Sequence, residues 1–487
     1  MKKLLRSWTA EDQAVFFLSF LLVFPKKWEP GGNIDTVWYA AIAKNIAETG
    51  NYFHFFISKY YLNNIHDHLP LTYWVTATVF RVFGVSDFTS RLYPLFCSMA
   101  SYLLVYAIGK KIKGAAYGLA AVVMYALCLG STKWNGSLLH DVPLTTYFLG
   151  ATYCLLATQK KSVWLIGVAV WVSLGILTKG PIIGGFVFGA LLWIAWEKNF
   201  RCLLNRSMLA ATLIGAAILS ILFWPPFLFD GTNYYTLFYR EKLAYATQFS
   251  PDFLSYFSFV RLLVSLATVP LLLIAVLAIQ TWRKKIDWVT EPRAASGARL
   301  FVCVTVATLV PLSFFRTKFP HYILPVYPYL ALLSAFAVVP VFRRKNAATM
   351  IKHGAIAVSL GLLALPIKVT GKRSKDLLNL VNFIHLDSEI KTKEVYFRGD
   401  YWTDMGIYQH FKFYGDIDLR YADPNVIDQV DLRRAYLVAK VSHLPFKWRG
   451  TAVTLQDCLF VNSEFCAVTE TKPQFRLPDF LFPHEVY

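Results

Sequence analysis

Long apolar stretches recur along this chain, and a short basic cluster fills every second gap between them. A helix needs about 20 mostly apolar residues to cross a bilayer core, somewhat fewer if its ends are interfacial. About eleven candidate stretches meet that need. They run near residues 11–25, 88–109, 115–131, 142–157, 163–178, 181–196, 208–229, 259–280, 299–315, 322–341 and 354–369. Of the 487 residues, 56% are hydrophobic, and mean hydropathy is +0.43. A soluble domain is about 45–50% apolar. The expected fold class is an α-helical polytopic membrane protein of about 11–13 spans.

Net charge is +19 although only 16% of residues are charged. In a soluble chain that imbalance would suggest nucleic acid. Here the basic residues sit between apolar stretches, which is a topology signal and excludes nucleic acid as the partner. The clusters are Lys2, Lys3 and Arg6; Lys110, Lys111 and Lys113; Lys160 and Lys161; Lys198, Arg201 and Arg206; Arg283, Lys284 and Lys285; and Arg343, Arg344 and Lys345. By the positive-inside rule these loops face the cytoplasm. Residues 26–87, 131–141, 178–181, 230–258, 314–321 and 370–487 then lie outside, with Lys26 and Lys27 as dissenters. The amino terminus resembles a signal n-region. The stretch Ala14–Phe24 has no small-residue cleavage site after it and reads as an uncleaved first span.

Two outer segments are long. In the first, residues 34–48 put Ile34, Trp38, Ile42 and Ile46 on one helical face, and residues 71–83 read as a second short amphipathic helix. Dense aromatics suggest that both lie at the membrane interface. In the second, from 370 to 487, polar sequence surrounds short alternating runs at Glu394 and Ala435, with a helical pattern at 375–388. A small α/β extramembrane domain is expected there, which gives a transmembrane domain over 1–369 and a tail domain over 370–487.

Cys97, Cys128, Cys154, Cys202 and Cys303 lie in or beside apolar stretches and read as packing residues. Cys458 and Cys466 flank Asn462-Ser463, a hairpin-turn pattern. They read either as a cross-strand disulfide or as two free thiols.

Ionisable groups at outer membrane boundaries are costly to keep and often functional. Asp35 opens the first interfacial helix, Asp67 and His68 lie before the second, and Asp141 precedes the span in HDVPLT. Each aspartate also has a plain structural reading, as a helix cap, with Pro143 in the first turn after Asp141. An adjacent Asp67–His68 pair falls short of the three or four ligands of a metal site. Basic groups on the same side are Lys179 in LTKGP, Arg240 and Lys242 in FYREKL, and Arg316, Lys318 and His321 in FFRTKFPHYILP. Lys179 can simply snorkel, and Arg240 and Lys242 can form a solvated face. Cations outside run against the positive-inside tendency, so an anionic partner such as a lipid phosphate also explains them.

Asp35-x-x-x-Tyr39, HDHLPLTYW (66–74), RVFGVSDFTSRL (81–92), LHDVPLT (139–145), LTKGP (177–181) and KFPHYILPVYP (318–328) follow one another in order. This series resembles the GT-C glycosyltransferases of the protein mannosyltransferase and aminoarabinose transferase type (glycosyltransferase family 39), over roughly residues 30–340. The resemblance implies a polytopic helical bundle with interfacial helices in its first outer loop and a periplasmic tail domain. It implies sugar transfer from a polyprenyl-phosphate donor, within membrane lipids, to a lipid, glycan or protein acceptor on the periplasmic face of a bacterial inner membrane. Asp35 matches the family's essential first-loop acid, and Asp67 matches a residue that binds a divalent metal ion in some relatives. His68 stands where aminoarabinose transferases usually carry Lys. The stretch Tyr239–Lys242 resembles a segment in which a relative uses His as a metal ligand.

No Walker loop, dinucleotide fingerprint or HExxH pattern is present. Sugar transfer on the outer face then needs a donor that crosses in the lipid. Asp35, supported by Asp141, is the expected catalytic carboxylate, and Lys179, Arg240, Lys318, His321 and His68 are the expected donor-phosphate ligands. Polyprenyl phosphate already leaves readily, so the chemistry falls to accepting the acceptor's proton and stabilising phosphate charge. A single displacement inverts the anomeric carbon. The competing reading is a lipid-linked sugar flippase, which would share the spans, the basic patches and the prolines that break helices.

Overall fold

The structure is a computed structural model. It describes residues 9–24, 32–60, 64–200, 204–229, 231–240, 253–283, 291–339, 372–387, 393–399, 406–422, 427–449 and 451–470, with a few isolated residues between them. Lys2, Lys3, Arg6, Lys26, Lys27, Arg201, Cys202, Lys242, Lys284, Lys285, Arg343, Arg344, Lys345 and most of the stretch 354–369 lie outside the described residues. In chain order the main helices are α1 (Ala10–Val23), α2 (Ile34–Thr49), α3 (Leu71–Phe83), α4 (Asp87–Lys113), α5 (Ala115–Ala126), α6 (Leu129–Trp134), α7 (Asp141–Thr158), α8 (Trp164–Lys179), α9 (Gly184–Trp196), α10 (Arg206–Leu219), α11 (Tyr234–Phe238), α12 (Ser258–Leu266), α13 (Thr268–Trp282), α14 (Pro292–Phe314), α15 (Tyr327–Val338), α16 (Lys372–His385) and α17 (Gly406–Gly415). They fall into two compact units.

In the first unit, Met1–Trp28, His66–Val79 and Ser86–Val369, the described residues are mainly helical. Among the described residues, five of its helical stretches are long and apolar enough to cross a membrane: Asp87–Lys113, Trp164–Trp196, Arg206–Phe223, Pro292–Phe314 and Pro320–Val338. A sixth arises if Ser255–Leu266 and Thr268–Thr281, bent by 97° where they join, form one broken span. Trp164–Trp196 takes in two expected stretches, broken at Gly180, while α1 and α5 are only 14 and 12 residues long. Leu209 and Leu213 on α10 are 63% and 61% exposed. In water such a surface would be a liability; in a bilayer it faces lipid.

α7 and α8 form a tight antiparallel hairpin. Gly150 lies against the Trp171 ring and Gly167 against the Cys154 sulfur, so a methyl group at either glycine would collide. Buried hydroxyls lock the hairpin to its neighbours: Thr146 bonds Ser101 at 2.9 Å and the Cys97 carbonyl at 2.7 Å, and Thr152 bonds Tyr329 at 2.7 Å. Small and hydroxyl-bearing side chains at such contacts are how helices associate in lipid. Cys97, Cys128, Cys154 and Cys303 are buried free thiols, as packing residues should be.

The second unit joins Glu29–Ile65, Phe80–Val85 and Thr370–Tyr487. The short strands are β1 (Leu228–Phe229) and β2 (Thr232–Asn233), a ribbon in the first unit, then β3 (Glu394–Arg398), β4 (Arg420–Tyr421), β5 (Ala435–Lys440), β6 (Phe446–Trp448), β7 (Thr451–Val453), β8 (Phe460–Val461) and β9 (Phe465–Val468). A five-stranded sheet runs β4-β3-β5-β9-β8. β3 is parallel to β4 and β5, while β9 is antiparallel to β5 and β8. Strands β3 and β5 and helix α16 fall where the pattern predicts them. Ala435–Ala439 is buried throughout, as a central strand covered on both faces should be. Cys458 and Cys466 are disulfide-bonded, with Cα atoms 5.6 Å apart.

α2 departs from a simple interfacial helix. Nine of its residues, from Val37 to Ile46, are buried, and it packs on α17. Residues 29–65 and 370–487 must share one side of the membrane to form one unit, which is what the loop charges assign.

Candidate active site

The α7–α8 hairpin places two opposite charges at one end. Asp141 is the first residue of α7 and Lys179 the last of α8. A carboxylate at a helix start and a cation at a helix end both suit the helix dipoles. Gly180, at φ +61°, ends α8 in a conformation suited to glycine, and Pro181 begins the following 3-10 turn. The Lys179 ammonium donates to Asp141 Oδ2, and the side chains are 6% and 1% exposed. The His321 Nε2 atom, in the 3-10 turn Pro320–Val326, is 3.7 Å from the same oxygen. Beneath the ammonium lies the Tyr322 ring, 4.0 Å from Nζ to centroid. Asp141 Oδ1 is buried without a hydrogen-bond partner among the described residues. Asp141 is therefore an ion-pair residue. The position before it, His140, is the N-cap of α7, and its side chain makes no capping bond to that helix.

Asp67 and His68 reach the same neighbourhood through aromatic rings. Tyr73 Oη donates to Asp67 Oδ1 at 3.0 Å, and the Tyr73 ring meets His140 edge-on at 5.1 Å. His68 lies 4.4 Å from His140, centroid to centroid. Tyr234 of α11 fixes this turn by donating to the His68 carbonyl at 2.8 Å. Trp134, at the end of α6, packs edge-on against His321 at 5.8 Å. His68, His140, Asp141, Lys179, Tyr234 and His321 come from five segments that the loop charges assign to one side. Tyr73, His140, Tyr234 and Tyr322 were not singled out from sequence, although three of them stand inside the quoted motifs.

Two other expected ligands have different surroundings. Lys318 is half-buried and donates to Ser255 Oγ at 3.2 Å and to the Phe315 carbonyl. Arg240 is exposed, just past α11. A metal ion finds little to bind: among the described residues no three His, Cys, Asp or Glu side chains are grouped to hold one, and Asp67 accepts from a phenol.

Asp35 belongs to the second unit. It lies half-buried in the first turn of α2. The cap is Asn33, whose side chain accepts from the Thr36 N–H at 2.8 Å, so capping does not explain Asp35. Further along α2, Lys44 and Glu48 meet Lys412 and Asp416 of α17. Burial alone would push Lys412 down and Asp416 up. Their mutual hydrogen bond and neighbouring charges outweigh that, raising Lys412 and lowering Asp416.

Residues 67–224 match the dolichyl-phosphate-mannose-protein mannosyltransferase family. A protein of Erwinia tasmaniensis named undecaprenyl phosphate-alpha-4-amino-4-deoxy-L-arabinose arabinosyl transferase is 26% identical over 73% of this chain and 66% of its own length. An uncharacterized protein of Aquifex aeolicus is 24% identical over 61% of this chain and 58% of its own. The chain thus spans just under two thirds of the first relative's length and less of the second's. The crystal structure of ArnT from Cupriavidus metallidurans bound to undecaprenyl phosphate superposes with a TM-score of 0.66, covering 96% of this chain and 98% of that one at 13% identity. Motif order, sequence similarity and fold agree in making this chain similar to the GT-C glycosyltransferases.

Proposed function

We propose that this protein transfers a sugar from a polyprenyl-phosphate donor to an envelope acceptor (lipid A, another glycan or a protein) on the periplasmic face of the inner membrane. The observation that carries this reading is the buried Asp141–Lys179 pair with His321 beside it. A cation kept out of water, on the side where a lipid-borne donor presents its phosphate, suits an anionic headgroup. The Erwinia relative's name and the lipid bound to the Cupriavidus structure support undecaprenyl phosphate as the carrier.

In the proposed reaction an acceptor hydroxyl oxygen attacks the anomeric carbon while the bond from that carbon to the phosphate oxygen breaks. The electron pair leaves with polyprenyl phosphate, and the anomeric configuration inverts. Asp35 takes the hydroxyl proton. Lys179 neutralises the phosphate, oriented by Asp141 on one side and by the Tyr322 ring below. His321 and His68 complete the polar wall, and Lys318 and Arg240 guide the headgroup at the rim. No step runs through a metal. A phosphate acceptor would need no base, and Asp35 would then only orient groups.

Reconstituted protein with labelled lipid donor tests the reading. A transferase releases free polyprenyl phosphate; a flippase moves the lipid intact. Asp35→Asn should abolish turnover in a folded variant, by about 10²–10⁴-fold, and near-normal turnover would remove the base assignment.

A further inference from the structure

Helix α17 grips α2 at both ends. At the start, the fully buried Gln409 donates from Nε2 to the Ile34 carbonyl at 2.8 Å. Gly406, one turn earlier on α17, lies against the Ile34 side chain. Near the far end, Lys44 Nζ donates to the Lys412 carbonyl at 3.1 Å and stands 3.2 Å from Asp416. Lys412 in turn is 3.2 Å from Glu48.

A helix held at one point can slide or turn. A slide of one residue moves a side chain about 1.5 Å along the axis and swings it about 100°. Two anchors ten residues apart remove both freedoms. The Ile34 carbonyl belongs to the same peptide plane as the Asp35 N–H, so holding that oxygen orients the backbone on which the Asp35 carboxylate is mounted. Gln409 Oε1 is buried and has no partner among the described residues. An acceptor buried without a hydrogen bond is costly. A leucine would fill this space without that cost, so the feature in use at this position is the amide donor.

We propose that Gln409 is a positioning residue for the proposed transfer reaction: by holding the Ile34 carbonyl it sets where the Asp35 carboxylate stands. This rests on the reading of Asp35 given above. Misplacing a reacting group by about 1 Å can cost on the order of 10²-fold in rate.

The test compares full-length wild type, Gln409→Glu and Gln409→Leu in proteoliposomes. The probes are undecaprenyl-phosphate-linked pentose, amino-pentose and hexose donors, and the one wild type turns over best is used throughout. At pH 8 both variants should lose about 10–100-fold in kcat, with the donor KM within about two-fold of wild type. As pH falls toward 5.5, the ratio of Gln409→Glu to wild-type kcat should rise, because a protonated glutamic acid donates to the Ile34 carbonyl again. Gln409→Leu should stay low throughout. A Gln409→Glu ratio that does not change with pH, or a Gln409→Leu variant with wild-type kcat, would overturn the proposal. Asp35→Asn assayed alongside separates the two failures. Near-normal turnover of Asp35→Asn, or no turnover of any donor by wild type, removes the underlying reading and this proposal with it. An inactive Asp35→Asn beside unaffected Gln409 variants removes this proposal alone.

Discussion

Lys179 and Asp141 close the open end of a helical hairpin, with charges that almost no solvent reaches. Removing one partner of such a pair strands the other. Asp141→Asn or Lys179→Met should each destabilise the protein by about 3–5 kcal/mol. The double variant should recover most of that loss, because neither charge is left unpaired, yet sugar transfer should stay abolished. Thermal unfolding in detergent, read beside a transfer assay, checks both. A double variant that regains activity would show that the pair only holds the fold.

The Tyr322 ring supports the Lys179 ammonium from below at 4.0 Å. A desolvated cation–π contact is worth about 0.5–2 kcal/mol. Tyr322→Leu should therefore raise the donor KM by about two- to thirty-fold, while Tyr322→Phe, which keeps the ring, should stay near wild type. Initial rates against donor concentration separate the two.

In the second unit, the Asp387 carboxylate receives Lys393 Nζ at 2.7 Å, Tyr436 Oη at 2.8 Å and the Glu389 N–H at 3.1 Å. Burial pushes this carboxyl up, but those hydrogen bonds outweigh it and hold it below its ordinary value. The unfolded group titrates near about 3.9. Its stabilising contribution is thus present above about pH 4 and is lost as pH falls through the lower folded value. Asp387→Asn should flatten this acid limb in a near-ultraviolet circular dichroism titration.

The Cys458–Cys466 bridge closes a loop with a sequence separation of 8. Chain entropy for so short a loop gives about 2–3 kcal/mol. Replacing both cysteines with alanine should lower the unfolding temperature. Reductant should then shift wild type but leave the double variant unchanged.

The chemistry of burial decides what was legible in the chain. Apolar length and basic loops report lipid directly, so the helical class could be read. Strands β3 and β5 announced themselves by residue pattern. Asp141, Lys179 and His321 carried a charge or a titratable ring at a membrane boundary, where that is expensive. Tyr73 and Tyr322 carry no charge, and only their placement beside Asp67 and Lys179 gives them meaning. The pairing of α2 with α17 left no local trace, because aromatic density in residues 34–48 suits a lipid interface and a protein partner equally well. Asp35 read as a possible cap because aspartate favours that position, but Asn33 stands two residues earlier and takes it.

The hydrogen bond from Gln409 to Ile34 spans 375 residues of chain. Ribosomes add about 5–20 residues per second, so α2 emerges on the order of 20–75 seconds before its partner. Throughout that wait α2 is born but unfinished. Maturation of this protein is thus timed by its last quarter, and a nascent chain released early would carry every apolar span without the clamp that completes its beginning.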